Sequence, residues 1–229
     1  PNEYDKLMSF IGSEGTNAYT STDMTVYVEQ IPSNQIENWA RIQADRFANP
    51  VIRGFHTELE TVYEEKNMSL TKDFRKALEA MDGMLFPDHP YGTQTVLGTQ
   101  EHLKNPSITN IKNYQKTYYV PNNMAICLSG DFDPDEMVAV IEKYFGQMQP
   151  NKDLPEITLA TSSVIESPVE KDVYGLDAEN IMIGWKYPGA KSKDALVAEV
   201  AASVLYNGSA GLIDLNINQQ QKVLGAYGM

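Results

Sequence analysis

The stretch "YYVPNNMAICLSGDFDPDEMVAVIEKYFG", Tyr118 to Gly146, sets out a strand, a turn and a helix in one run. The apolar Met124–Ser129 predicts a strand bounded by the Gly and Asp residues of a turn. Asp133 then predicts a helix N-cap, Pro134 sits at the first helical position, Glu136 completes a capping box, and Gly146 follows the last turn. Downstream, "QMQPNKDLPEITLATSSVIESP" loses helical periodicity and gains Pro and Ser. That change places a linker at 151–168, between a first domain over 1–150 and a second from 169 to 229. There the scheme returns. "NIMIGWKYPG" reads as a strand, and "SKDALVAEVAASVLYNG" as a helix with Leu196, Val200, Ala201 and Val204 inward and Asn207-Gly208 as its stop. Upstream, "NAYTSTDMTVYVEQI" alternates Met24, Val26 and Val28 against Thr25, Tyr27 and Glu29, the period of a half-buried strand. "SNQIENWARIQADRFANP" predicts a helix capped by Asn34 with Glu37, its stripe being Ile36, Trp39, Ala40 and Phe47. A long helix is expected from Thr57 to about Met81, then a Pro- and Gly-rich loop, then a helix over Ser107–Tyr118.

The 229 residues are 42% hydrophobic and 10% aromatic, enough to bury a sizeable core. Lys and Arg number 18 against 31 Asp and Glu, and the net charge of −13 argues against nucleic acid or an anionic membrane as the main partner. Basic peptides would be attracted, although a plain acidic surface fits the same charge. Cys127, the only cysteine, is expected as a buried small hydrophobe, and it leaves no disulfide or Cys-based zinc cluster within the chain. No run of 18 apolar residues reads as a membrane span. A start at Pro1 and a stop within "LGAYGM" read as the ends of a fragment, and the compartment is left open.

The acidic run "ELETVYEEKNMSLTKD", Glu58 to Asp73, falls on the long helix. Glu58 and Glu65 project within about 20° of each other beside Val62, whereas Glu60 and Glu64 point elsewhere. Seven residues separate the pair by roughly 10 Å along the axis, too far to share a proton or one ion. At most one is a direct metal ligand, with the other in a supporting role; a partly solvated helix edge fits the spacing as well. His56, His89 and His102 show no i, i+4 pair that could hold a metal, and neither a Walker phosphate loop nor a Gly-x-Ser-x-Gly elbow is present.

Five ordered blocks, "GTNAYTSTDMTVY", "ELETVYEEKNMSLTKD", "HPYGTQTVLGTQEHLKN", "YYVPNNMAICLSGDFDP" and "YNGSAGLIDLNINQQQKVLGAY", resemble the pitrilysin/insulinase (M16-type) zinc metallopeptidases, which include mitochondrial processing peptidase. The resemblance covers almost the whole chain. It implies an α+β two-layer sandwich, a mostly antiparallel sheet with helices on one face. It also implies a zinc-dependent endopeptidase that hydrolyses unfolded peptides in a closed chamber, paired with a second homologous domain or subunit. Glu65 matches the zinc-ligating glutamate and Glu58 the glutamate that supports the zinc-binding histidines. Asn17, Ala18 and Tyr19 match the edge strand that receives substrate, and Tyr227 matches a substrate-contacting tyrosine. Two positions depart from the pattern. The inverted His-x-x-Glu-His motif would lie upstream of Pro1, so the zinc site is incomplete in these residues, and Gln220 stands where the family has an Arg. A non-catalytic paralogue serving as a peptide-binding or structural subunit is the alternative.

Overall fold

The computed structural model describes residues 2–158 and 160–229. Pro1, in the predicted first domain, and Leu159, in the predicted linker, lie outside the described residues. The chain divides into two compact units, Pro1–Ala178 and Glu179–Met229. The first carries helices α1 (Glu3–Phe10), α2 (Ile36–Ala48), α3 (Phe55–Leu70), α4 (Asp73–Leu85), α5 (Pro90–Thr93), α6 (Gln100–Lys104), α7 (Ile108–Tyr118) and α8 (Pro134–Phe145), with strands β1 (Gly15–Thr20) and β2 (Thr25–Gln30). The second carries α9 (Lys193–Leu205) and a π-helical turn, Asp214–Asn218.

The core of the first unit lies where α1, α2 and α8 meet. Met8, Ile11, Ile36, Trp39 and Ala40 are buried, with Val140, Ile141 and Phe145 of α8 against them. The Trp39 and Phe145 rings lie 6.5 Å apart. Each fully buried large apolar side chain contributes roughly 1.5–3 kcal/mol, so this cluster is the main apolar term fixing the helices. Helix α1 was not expected from the sequence; its signal was the 4–3 spacing of Tyr4, Met8 and Ile11.

Local capping chemistry decides several helix starts. The Asp133 carboxylate accepts from the amides of Asp135 (2.9 Å) and Glu136 (3.0 Å), and the Ser107 hydroxyl accepts from the amide of Asn110 (3.2 Å). The expected Asn34–Glu37 box is absent: Ser33–Gln35 is a 3₁₀ turn and no side chain caps α2. Glu37 instead accepts from Lys143 Nζ (2.7 Å) and Tyr144 Oη (3.0 Å), which ties α2 to α8. The long helix expected from Thr57 to Met81 is two helices. Thr71 Oγ1 donates to the Met68 carbonyl (2.7 Å), Lys72 is extended, and α4 starts at Asp73. Asp73 forms an ion pair with Lys76 (2.8 Å) and accepts from the backbone amides of Leu176 and Asp177.

The sheet is smaller than expected. Among the described residues it is one antiparallel hairpin, with Asn17 opposite Val28 and Ala18 opposite Tyr27. The face turned to the helices carries Tyr27 and Glu29, while Met24 and Val28 are exposed, so apolar alternation alone does not name the inward face. Met124–Ser129, expected as a strand, does not pair. Its first residue is extended, but among the described residues no backbone hydrogen bond reaches the segment, which lines a groove of about 940 Å³ together with β2. A ladder needs a neighbour at about 4.8 Å, and among the described residues the only strands are β1 and β2, paired with each other. Cys127 is accordingly exposed, not buried. In the second unit, "NIMIGWKYPG" is likewise not a strand. Leu196, Val200, Ala201 and Val204, expected inward, are exposed, and the partly covered face of α9 is Ala195, Ala198 and Ala202. A unit this short has too little chain to cover a larger stripe.

Candidate peptide and metal sites

Strand β1 is exposed along its whole length. At the turn, Ser21 N donates to Met24 O (2.8 Å), and in an antiparallel pair bonded and non-bonded positions alternate. Asn17 and Tyr19 therefore bond to β2, whereas Thr16, Ala18 and Thr20 direct their N–H and C=O groups to the open edge. The close approach of Thr20 and Thr25, with Oγ1 atoms 3.3 Å apart, marks a non-bonded pair. One open-edge donor is already held: Ala18 N donates to Asn17 Oδ1 at 2.8 Å. Tyr19 is exposed. The edge is thus a template for a further strand, with one amide to be released by rotation of Asn17.

The hairpin is fastened from behind by a polar cluster whose members are scattered along the sequence. The Glu29 carboxylate accepts from Tyr4 Oη (2.7 Å) and Gln43 Nε2 (3.2 Å), and Arg46 Nη1 lies 3.9 Å away. The Arg46 guanidinium lies over the rings of Tyr4 (4.1 Å) and Tyr27 (4.6 Å). Burial, followed by the bond to Glu29, pushes the Tyr4 phenol up to about 12. Burial, followed by the Tyr119 hydroxyl, does the same for Tyr27.

Helix α3 opens on Gly54, whose φ of 67° suits a residue without a Cβ. Glu58 and Glu65 are both exposed. Glu65 lines an open groove of about 420 Å³ with Thr57, Glu60, Thr61, Glu64 and Met68. The inward side of α3 carries half-buried Phe55, Leu59, Val62, Tyr63 and Leu70, but its one fully buried residue is polar. Lys66, the buried residue of this helix, forms an ion pair with Glu79 of α4 (2.9 Å) and lies 3.5 Å from Thr95 Oγ1. Next to it, Asn67 Oδ1 accepts from Gln100 Nε2 (2.6 Å). Burial, and then the Glu79 charge, raises the Asp82 carboxyl on the same helix.

These residues do not by themselves fit a zinc ion. Among the described residues no group of three His, Cys, Asp or Glu side chains could hold a metal. Glu65 offers a single donor where a catalytic zinc takes three from protein, and His89 Nδ1 is occupied by the amide of Tyr91 (3.1 Å). Neither Glu58 nor Glu65 bonds to the hairpin among the described residues. In the second unit, the Tyr227 ring meets Tyr206 edge-on at 5.8 Å, and Gln220 Nε2 reaches the Leu215 carbonyl at 3.4 Å. Asp214 is buried; burial raises its carboxyl, but the amides of Asn207 and Gly211 outweigh this and lower it.

Solved structures show which fold these elements form. A protease from Helicobacter pylori superposes with a TM-score of 0.72 at 20% identity, over 96% of this chain and 54% of that one. The first half of the periplasmic protease PqqL from Escherichia coli gives 0.60 at 20% identity, over 69% and 35%. The fold is therefore the one that these solved proteases share. A family model described as the peptidase M16 inactive domain matches residues 107–228, more than half of the chain, and the chain belongs to the M16 peptidase family. Similar curated proteins include zinc protease PqqE of Helicobacter pylori, 23% identical over 96% of this chain and 51% of its own length. Another is the probable mitochondrial-processing peptidase subunit beta of Schizosaccharomyces pombe, 28% identical over 59% of this chain and 30% of its own length. The chain spans about half or less of the relatives it matches.

Proposed function

We propose that this chain is part of a zinc-dependent endopeptidase that takes unfolded peptides into a closed chamber. Its first peptidase-like domain would cover 1–150, a linker 151–168, and the start of a second similar domain 169–229. The observation that carries the reading is β1, an exposed edge strand with outward backbone groups at Thr16, Ala18 and Thr20. Asn17, Ala18 and Tyr19 would receive the peptide, and Tyr227 would contact it. Glu65 would be this chain's zinc ligand, and Glu58 would support histidines supplied by a His-x-x-Glu-His motif. Relatives named zinc protease and processing peptidase subunit support the hydrolytic class and a second homologous domain or subunit as partner.

A second reading, a non-catalytic paralogue that binds peptides or scaffolds a subunit, is favoured by the match to a domain described as inactive. The test is chelator-sensitive peptide hydrolysis by the full-length protein and by its Glu65→Gln variant. Loss of activity in the variant supports the ligand assignment, and unchanged activity refutes it. No hydrolysis by the full-length protein would favour the binding subunit. The 229-residue chain alone is expected to bind zinc weakly and not to turn over peptide; submicromolar zinc binding with turnover, by calorimetry and assay, would overturn that.

A further inference from the structure

The hairpin lacks the usual means of fixing its register. Register is set by burial when one face is apolar and inward, because a one-residue slip turns every side chain to the other face. Here β1 is exposed throughout, Val28 of β2 and Met24 just before it are exposed as well, and the inward ring of β2 is the half-buried Tyr27 against Phe47. Apolar burial therefore does little to separate the native pairing from a slipped one.

Directional polar contacts supply what burial does not. Tyr4 and Asp5 are consecutive on α1. Tyr4 Oη donates to Glu29 (2.7 Å), and Asp5 Oδ1 accepts from Thr16 Oγ1 at a longer 3.4 Å. Thr16 and Glu29 are directly opposed across the hairpin. One turn of α1 thus grips both members of a single cross-strand pair. Behind it, Gln43, 2% exposed, donates to both Tyr4 Oη (2.7 Å) and Glu29, and Arg46 supplies the countercharge. A one-residue slip of β2 would turn Glu29 out of its pocket, taking the acceptor from Tyr4 Oη and the countercharge from Arg46, and a slip of β1 would lift Thr16 off Asp5.

We propose that Tyr4 and Asp5, backed by Gln43 and Arg46, pin the register of the hairpin and so set the frame in which β1 meets an incoming peptide strand. They are positioning residues. A one-residue slip of β1 would lift Thr16 off Asp5 and turn the amides of Asn17 and Tyr19 to the open edge in place of those of Thr16, Ala18 and Thr20. The inference rests on the reading of β1 as the peptide-binding edge.

The test uses the full-length protein with Cys127→Ser and a cross-linking pair, Thr20→Cys/Thr25→Cys, whose Oγ1 atoms now lie 3.3 Å apart. A slipped hairpin places position 20 opposite 24 or 26, and the disulfide no longer closes readily. Glu29→Leu, or Tyr4→Phe/Asp5→Ala should the first fail to fold, is expected to slow cross-linking about tenfold, the scale of one lost charged hydrogen bond. Glu29→Gln, which keeps the accepting oxygen, should restore it. Without the cysteines, affinity for a ten-residue peptide of alternating valine and lysine should fall in parallel. Cross-linking at the parent rate in both register variants overturns the proposal. Slowed cross-linking in a protein whose parent never binds the peptide upholds the pin and refutes the peptide-edge reading.

Discussion

Residues Thr25–Gln30 and Met124–Ser129 both carry the pattern of a strand, and they line the same groove. The first is paired along its length with β1 and is held through Glu29 by Tyr4, Gln43 and Arg46. The second, the more apolar of the two, has no ladder among the described residues and leaves Cys127 exposed. The difference shows that alternation specifies a surface, while a neighbouring backbone and an anchoring side chain make the strand. Hydrophobicity would have ranked the two the other way round.

The comparison can be broken at the anchor. Glu29→Leu leaves Tyr4 Oη without its acceptor, Gln43 Nε2 with Tyr4 Oη alone, and Arg46 without its carboxylate. It should cost about 3 kcal/mol, the low end for a broken buried pair because Arg46 is partly exposed. A urea midpoint within error of the parent would mean that the β1 ladder alone holds β2. The same principle can be tried outside the hairpin. Lys66→Met leaves Glu79 unpaired at the edge of the core and should cost about 1–3 kcal/mol, measured the same way; no change would confine anchoring by buried charge to the hairpin.

A third measurement uses pH. The ion pair with Lys76, followed by the amide of Asp177, holds the Asp73 carboxyl down at about 2 from an ordinary 3.8. A depressed folded-state value means that its stabilising contribution is present above the ordinary value and is lost as pH falls from about 4 toward about 2. Protection of the Leu176 and Asp177 amides, taken relative to the intrinsic exchange rate at each pH, should fall across that window, and protection that ignores pH there would remove Asp73 as an anchor. The smallest effect belongs to the unpaired segment: Cys127→Ser should change stability by less than about 0.5 kcal/mol. A thiol reagent should label Cys127 in the native protein. A protected thiol would place a partner over 124–129 and erase the contrast.

What could be read in advance follows the range of the cause. The cap at Asp133 was legible because the accepting oxygen and the donating amides lie within three residues of each other. The Asn34 box failed because Glu37 found Lys143 and Tyr144, more than 100 residues away. The break between α3 and α4 was hidden for the same reason, since apolar spacing runs on across Thr71 and Lys72 while the carboxylate after them bonds at position 176. Of the candidate sites, the open β1 edge and the shared helix of Glu58 and Glu65 were readable from pattern and family resemblance. The buried Lys66 and the Glu29 cluster were not, because each is a charge whose partners come from other elements.

The bond from Leu176 to Asp73 spans 103 residues, and that span has a meaning on the ribosome. At a synthesis rate of roughly 5–20 residues per second, Asp73 is made about 5–20 s before Leu176 and Asp177. In that interval Lys76 is its only lasting partner of those three, and the α3–α4 corner matures only when the later segment arrives. The corner can therefore close only after the residues of the hairpin and of the α1–α2–α8 core have all been made.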